Sequence, residues 1–303
     1  MNINFLSNKS LRIDRLLTIG IGKKLGKLTM NYADLRIPIL MYHSISNDVE
    51  NVRHPYFKTS TSPRVFAEHM KYLHESNYAV ISLPEAVDII TRNPEPATRN
   101  HSLITRNSQL ATRNPVVLTF DDGFADFYTE AFPILQEYGF CATVFLPTGF
   151  ISDGECCFKD KRCLRWGEIR ELAESGVEFG SHTVTHPQLR DLDWNQVVRE
   201  IGESRGIIED KIGEKAESFS YPYAFPAENE CLKERLKNSL VELGYKNGVT
   251  TSIGTAVRGD DPLFLRRIPI NSDDDTVFFK AKLEGGYDWI QQIQKGYKIL
   301  RKR

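Results

Sequence analysis

The feature that most limits the fold is a regular alternation of short apolar runs with longer amphipathic ones. Residues 115–120, 141–146, 177–180, 218–222, 245–251 and 264–270 read as strands. Between them, residues 127–138, 166–174, 193–211 and 228–243 read as helices. Upstream, 36–45 and 78–83 read as strands, 63–75 as a helix, and 84–90 as a short helix with Pro84 in its first turn. Apolar strands that alternate with helices predict a parallel sheet covered by helices. Seven or so strand–helix units over roughly 260 residues fit a closed barrel better than an open sheet. The expected fold class is therefore α/β, a closed parallel barrel wrapped by helices.

Composition agrees with one large domain. The 303 residues are 41% hydrophobic and 26% charged, which excludes a disordered, collagen-like or disulfide-dense chain. A net charge of −1 gives no general case for nucleic-acid binding. That balance hides an asymmetry: residues 1–30 and 291–303 each carry +5, which leaves −11 on the rest. Ile13, Leu16, Leu17, Gly20, Ile21, Leu25 and Leu28 share one helical face. This segment reads either as a helix lying on an anionic membrane or as one packed on the domain. The division expected is a basic amphipathic segment 1–30, a barrel 31–275 and a basic segment 276–303.

Thr-Arg-Asn recurs at Thr91, Thr98, Thr105 and Thr112, among Pro94, Pro96 and Pro115. Prolines and a missing a/d apolar pattern exclude a coiled coil, so 91–114 reads as a flexible surface insertion. Five cysteines, an odd number without paired metal spacing, read as thiols in a reducing compartment. The apolar run at 16–22 is short and lacks a cleavage site, and no run reaches the roughly 18 residues of a membrane helix. The expectation is a cytoplasmic protein whose basic ends touch the inner membrane face peripherally.

Two motifs carry chemistry. Asp121-Asp122-Gly123 follows the apolar run 115–120, and Gly123 lets the chain turn so that both carboxylates reach one pocket. In a parallel barrel that strand end faces the active site. His182 and His186 bracket Thr183-Val184-Thr185. Extended, they would stand roughly 13 Å apart, too far to share an ion. One turn brings such a pair within about 6 Å. The β-branched residues between them disfavour a long helix, so one irregular turn is expected. Asp126 reads as the cap of the helix after it, and Trp166 as the buried start of another.

TFDDGFADFY followed some 60 positions later by SHTVTH resembles the polysaccharide deacetylase family, also known as the NodB-homology fold or carbohydrate esterase family 4. The likeness covers roughly residues 36–270. It implies a distorted (β/α)7 barrel, a divalent metal (zinc first, cobalt or nickel otherwise) and removal of acetyl groups from N-acetylhexosamine units of a glycan. By the match, Asp122, His182 and His186 are the metal ligands and Asp121 is the catalytic base.

Two departures stand out. Where the family has Arg-x-Pro-Tyr, this chain has Ser220-Tyr221-Pro222-Tyr223. The match gives the Tyr223 N–H to the oxyanion, while Ser220 replaces the arginine that orients the base. Arg266 or Arg267 from the last strand supplies the lost charge, and Arg267 joins Tyr223 on the substrate side. The family's Leu-x-His is also missing, since none of the seven histidines follows His186. Met41-Tyr42-His43 instead resembles the poly-N-acetylglucosamine deacetylase branch, which makes His43 the catalytic acid. Three rivals stay open: an inactive barrel that binds glycan, an O-acetyl esterase, and a non-haem iron oxygenase using the same triad. The adjacent second carboxylate disfavours the last.

Overall fold

The computed structural model describes residues 12–22, 35–52, 55–92 and 114–291. Seven parallel strands close on themselves: β1 (Ile39–Tyr42), β2 (Pro115–Phe120), β3 (Thr143–Leu146), β4 (Glu178–Ser181), β5 (Ser218–Ser220), β6 (Asn247–Ile253) and β7 (Leu265–Pro269). Each pairs with the next in chain order. Closure comes where β7 returns to β1, with Ile268 opposite Leu40 and Pro269 opposite Met41. A further strand, Ala79–Val80, adds to β2. The expected (β/α)7 barrel is the fold, and it is distorted: β5 has only three residues, and the β6–β7 register shifts between Val249 and Ile253.

The helices form because their apolar residues recur on one face and their first turns are capped. Helix Pro63–Glu75 starts at Ser62, whose side chain accepts from the Val65 N–H, and buries Val65, Phe66, His69, Met70 and Leu73. Helix Trp194–Ile212 starts from Asp193 in a reciprocal cap with Gln196 and ends at left-handed Gly213. The expected helix 127–138 begins as a π-helical turn, Phe127–Ala131, before regular Phe132–Tyr138. One core joins the outer face of β1–β4 to these helices, and Ile37, Ile39, Val117, Phe145, Val249 and Leu265 form another.

Packing continues beyond residue 275. Helix Thr276–Leu283 buries Phe278, Phe279 and Leu283 in the main core. On it rests the chain of residues 12–22. Asp14 accepts from the Tyr287 hydroxyl, the Trp289 indole donates to Thr18, and Arg12 lies over the Phe278 ring. Of the two placements open to this segment, its described part takes the packed one. Lys9, Lys23, Lys24 and Lys27, the basic residues after 291, and positions 93–113 of the insertion lie outside the described residues. Among the described residues no helix is long and apolar enough to cross a membrane, and no disulfide joins the five cysteines.

Candidate active site and metal centre

Parallel strands deliver their successors to one rim, and the sequence motifs sit at those ends. His43 follows β1, Asp121 and Asp122 follow β2, and His182 follows β4. Ligand atoms of Asp122, His182 and His186 lie within 4.8 Å of one another, all three residues buried. Asp122 Oδ1 is 3.7 Å from His182 Nε2 and 3.2 Å from His186 Nε2. That oxygen is buried without a hydrogen bond, an arrangement a cation would satisfy. His182 Nδ1 stands 2.8 Å from the Ser220 carbonyl, which can only accept, so the proton sits on Nδ1 and Nε2 keeps its lone pair for the site. Burial lowers the His182 pKa to about 3, which keeps the ring neutral. Two imidazoles and one carboxylate suit a divalent metal with open positions.

The His-to-His segment is the expected irregular turn. Thr183 and His186 have φ of +68° and +55°. The sequence reading missed what closes it. Glu200, on helix Trp194–Ile212, accepts from the Val184 and Thr185 amides at 2.8 Å each and from the Thr185 hydroxyl at 2.7 Å. Asp122 (+72°) and Tyr223 (+55°) share the left-handed conformation. Such non-glycine residues each store about 1–3 kcal/mol of strain, and here they gather around the three candidate ligands.

Asp121 is held from behind. Arg267 donates to its two carboxylate oxygens at 2.8 and 2.7 Å, to Ser220 Oγ at 3.0 Å and to the Thr250 carbonyl at 3.1 Å. Ser220 Oγ also reaches Asp121, at 3.2 Å. Strand parity settles the choice between neighbours: Arg266 points outward to Asp260, and Arg267 points inward. Burial alone would raise the Asp121 pKa, but the Arg267 guanidinium outweighs it and leaves the carboxyl at about 2. Arg267, expected on the substrate side, is instead fully enclosed behind Asp121. An inward cation this deep needs a counter-charge, and the carboxylate is that partner. Contact with His186 and the ammonium of Lys159 hold Asp122 well below the usual carboxylate range, against its burial.

His43 Nε2 lies 4.0 Å from Asp121 Oδ2, and burial lowers its pKa. Tyr223 is 46% exposed, its ring centroid 4.6 Å from that of His186. The structure thus brings together six of the seven residues expected from sequence in one cluster at the strand ends, with Arg267 behind them. Lys159 also reaches the site, bonded to Asp122 Oδ2 at 2.9 Å, and sequence offered no signal for it. Asp126 does not cap its helix through its side chain. It accepts from the Ile45 N–H at 3.0 Å and from the Ser44 hydroxyl, and so anchors the chain just after His43. Trp166 is the buried helix start expected.

The class so defined is a parallel α/β barrel with a candidate metal site at the C-terminal ends of its strands. A family model described as polysaccharide deacetylase matches residues 109–248. YxkH of Bacillus subtilis (strain 168), a protein named for that family, is 30% identical over 249 residues, 82% of this chain and 76% of that one. The poly-β-1,6-N-acetyl-D-glucosamine N-deacetylase of Escherichia coli (strain K12) is 30% identical over 154 residues, 48% of this chain but only 20% of that protein's length. The structure of Streptococcus pyogenes deacetylase PplD in complex with acetate superposes with a TM-score of 0.64 at 25% identity, covering 83% of this chain and 99% of that one. The chain belongs to the polysaccharide deacetylase family. The enzyme class expected from sequence, a carbohydrate N-deacetylase, is the one carried by its named relatives.

Proposed function

We propose that the chain is a divalent-metal-dependent hydrolase that removes the acetyl group from N-acetylhexosamine units of a glycan. The observation that carries this reading is the buried set Asp122, His182 and His186 beside a second carboxylate held by Arg267. A bound zinc, cobalt or nickel ion would polarise the acetyl carbonyl and acidify water. The chain's own residues supply the proton transfers and the orientation. Asp121, ionised and fixed by Arg267, takes a proton from the attacking water as the new C–O bond forms. The Tyr223 N–H faces the developing oxyanion, and its exposed ring offers a face for a sugar. His43 gives a proton to the amide nitrogen as the C–N bond breaks, which releases the free amine and acetate.

The Escherichia coli relative's name makes a β-1,6-linked N-acetylglucosamine oligomer the first substrate to test. A lipid-linked glycan is the second, because basic ends carrying +5 each suit an anionic membrane face. The test is mass spectrometry of these glycans before and after incubation with the zinc-loaded protein. Asp122→Asn loses bound metal and acetate release together; retention of both overturns the ligand assignment. His43→Gln still binds glycan and loses about 10²–10⁴-fold in turnover. A wild-type protein that binds glycan without releasing acetate overturns the hydrolase reading in favour of a binding barrel.

A further inference from the structure

The turn between the short antiparallel strands Cys157–Phe158 and Lys161–Arg162 carries Lys159 and Asp160, at φ of +51° and +61°. Lys159 Nζ lies 2.9 Å from Asp122 Oδ2, while Oδ1 is the oxygen that faces His182 and His186. A lysine side chain that is 42% exposed would ordinarily make a weak, mobile contact. This one is fixed from three sides. Lys161, on the second strand, donates to Ser44 Oγ at 2.9 Å and Ser46 Oγ at 3.1 Å and pairs with Asp48. The base of the hairpin is tied to the chain just after Asp122, through Leu164 N–H to the Gly123 carbonyl and Ala125 N–H to the Arg162 carbonyl, both at 2.9 Å. The ammonium itself rests over the rings of Phe158, at 4.7 Å, and Tyr223, at 5.8 Å.

We infer that Lys159 is a positioning residue: it occupies Oδ2 and leaves Asp122 only Oδ1 to offer a cation. The inference rests on the metal-site reading above. Two consequences follow, with the same sign. Removing the ammonium removes its repulsion of a divalent ion. It also frees the second carboxylate oxygen to ligate. Both tighten metal binding, and the second uses a coordination position that water and the acetyl oxygen need. Lys159 therefore keeps the centre open at the expense of affinity.

The test compares Lys159→Met and Lys159→Arg with wild type in the full chain. Zinc binding is followed by calorimetry and cobalt(II) binding by visible absorption. Lys159→Met binds metal about tenfold more tightly, the order expected when one repelling charge a few ångströms from a divalent ion is removed from a half-exposed, water-screened position. Its cobalt absorption per ion is weaker, as expected when coordination number rises, and its kcat falls. Lys159→Arg keeps a charged donor and stays near wild type. The side chain is half exposed, so circular dichroism of Lys159→Met matches wild type. Unchanged affinity and spectrum in Lys159→Met, or weaker binding, overturns the role of Lys159. If wild type binds no cobalt, or Asp122→Asn binds it equally well, the metal-site reading itself falls, and the inference with it.

Discussion

Replacing Arg267 with Met should both destabilise the barrel and change its response to pH. Arg267 is 1% exposed and makes two hydrogen bonds to Asp121, at 2.8 and 2.7 Å. With Met there, the buried carboxylate keeps only the Ser220 hydroxyl, at 3.2 Å. Breaking a buried pair by removing one partner costs about 3–5 kcal/mol. The depressed Asp121 pKa, about 2 against an ordinary 3.8, has the same sign. At about 1.4 kcal/mol per pKa unit, that displacement is a contribution of roughly 2–3 kcal/mol.

The pH dependence follows from the sign of the shift. A carboxyl with a depressed folded pKa contributes stability that is present above 3.8 and is lost as pH falls through about 2. In Arg267→Met, burial raises the same pKa, and the ionised group then opposes folding until it is protonated. The wild-type advantage is thus largest near pH 7 and shrinks toward pH 4. Urea unfolding followed by circular dichroism, with chelator present, measures both. A loss below about 1 kcal/mol at pH 7, or a difference independent of pH, refutes the claim that Arg267 neutralises Asp121. Arg267→Lys should fall between the two, because it keeps the charge but loses the two-pronged geometry.

Two further outcomes are expected. His69 is buried, stacked on Phe279, and burial lowers its pKa to about 4. Its neutral form is therefore favoured in the folded state, so stability present above pH 6.5 is lost as pH falls toward 4, by up to about 3 kcal/mol. Thermal melts across that range should show a flatter curve for His69→Gln, and an equally steep one would remove His69 as the cause. Glu200→Ala frees the Val184 and Thr185 amides and lets the His182–His186 turn relax. Zinc calorimetry should then find metal affinity lowered about 10–100-fold; undiminished affinity would mean that the turn holds itself.

The apolar runs, their alternation with helices and the Asp-Asp-Gly and His-x-x-x-His motifs are local patterns. For that reason the barrel and six of the seven residues clustered at its strand ends were legible in the sequence. Helices Pro63–Glu75 and Trp166–Glu174 even have the expected limits, because caps and apolar spacing are encoded within a few residues. What sequence left open were contacts made across the fold. Arg266 and Arg267 are chemically alike, and only the inward parity of β7 sends Arg267 across the barrel to Asp121, 146 residues away in the chain. Asp126 is a plausible helix cap until β1 brings Ser44 and Ile45 beside it. Glu200 and Lys159 lie in no motif, and each meets its partner only because a helix or hairpin is docked on the strand ends. Sequence by itself determined which groups could do the chemistry. Tertiary structure decided which groups hold them, because buried charges find their partners through strand parity and packing rather than through nearness along the chain.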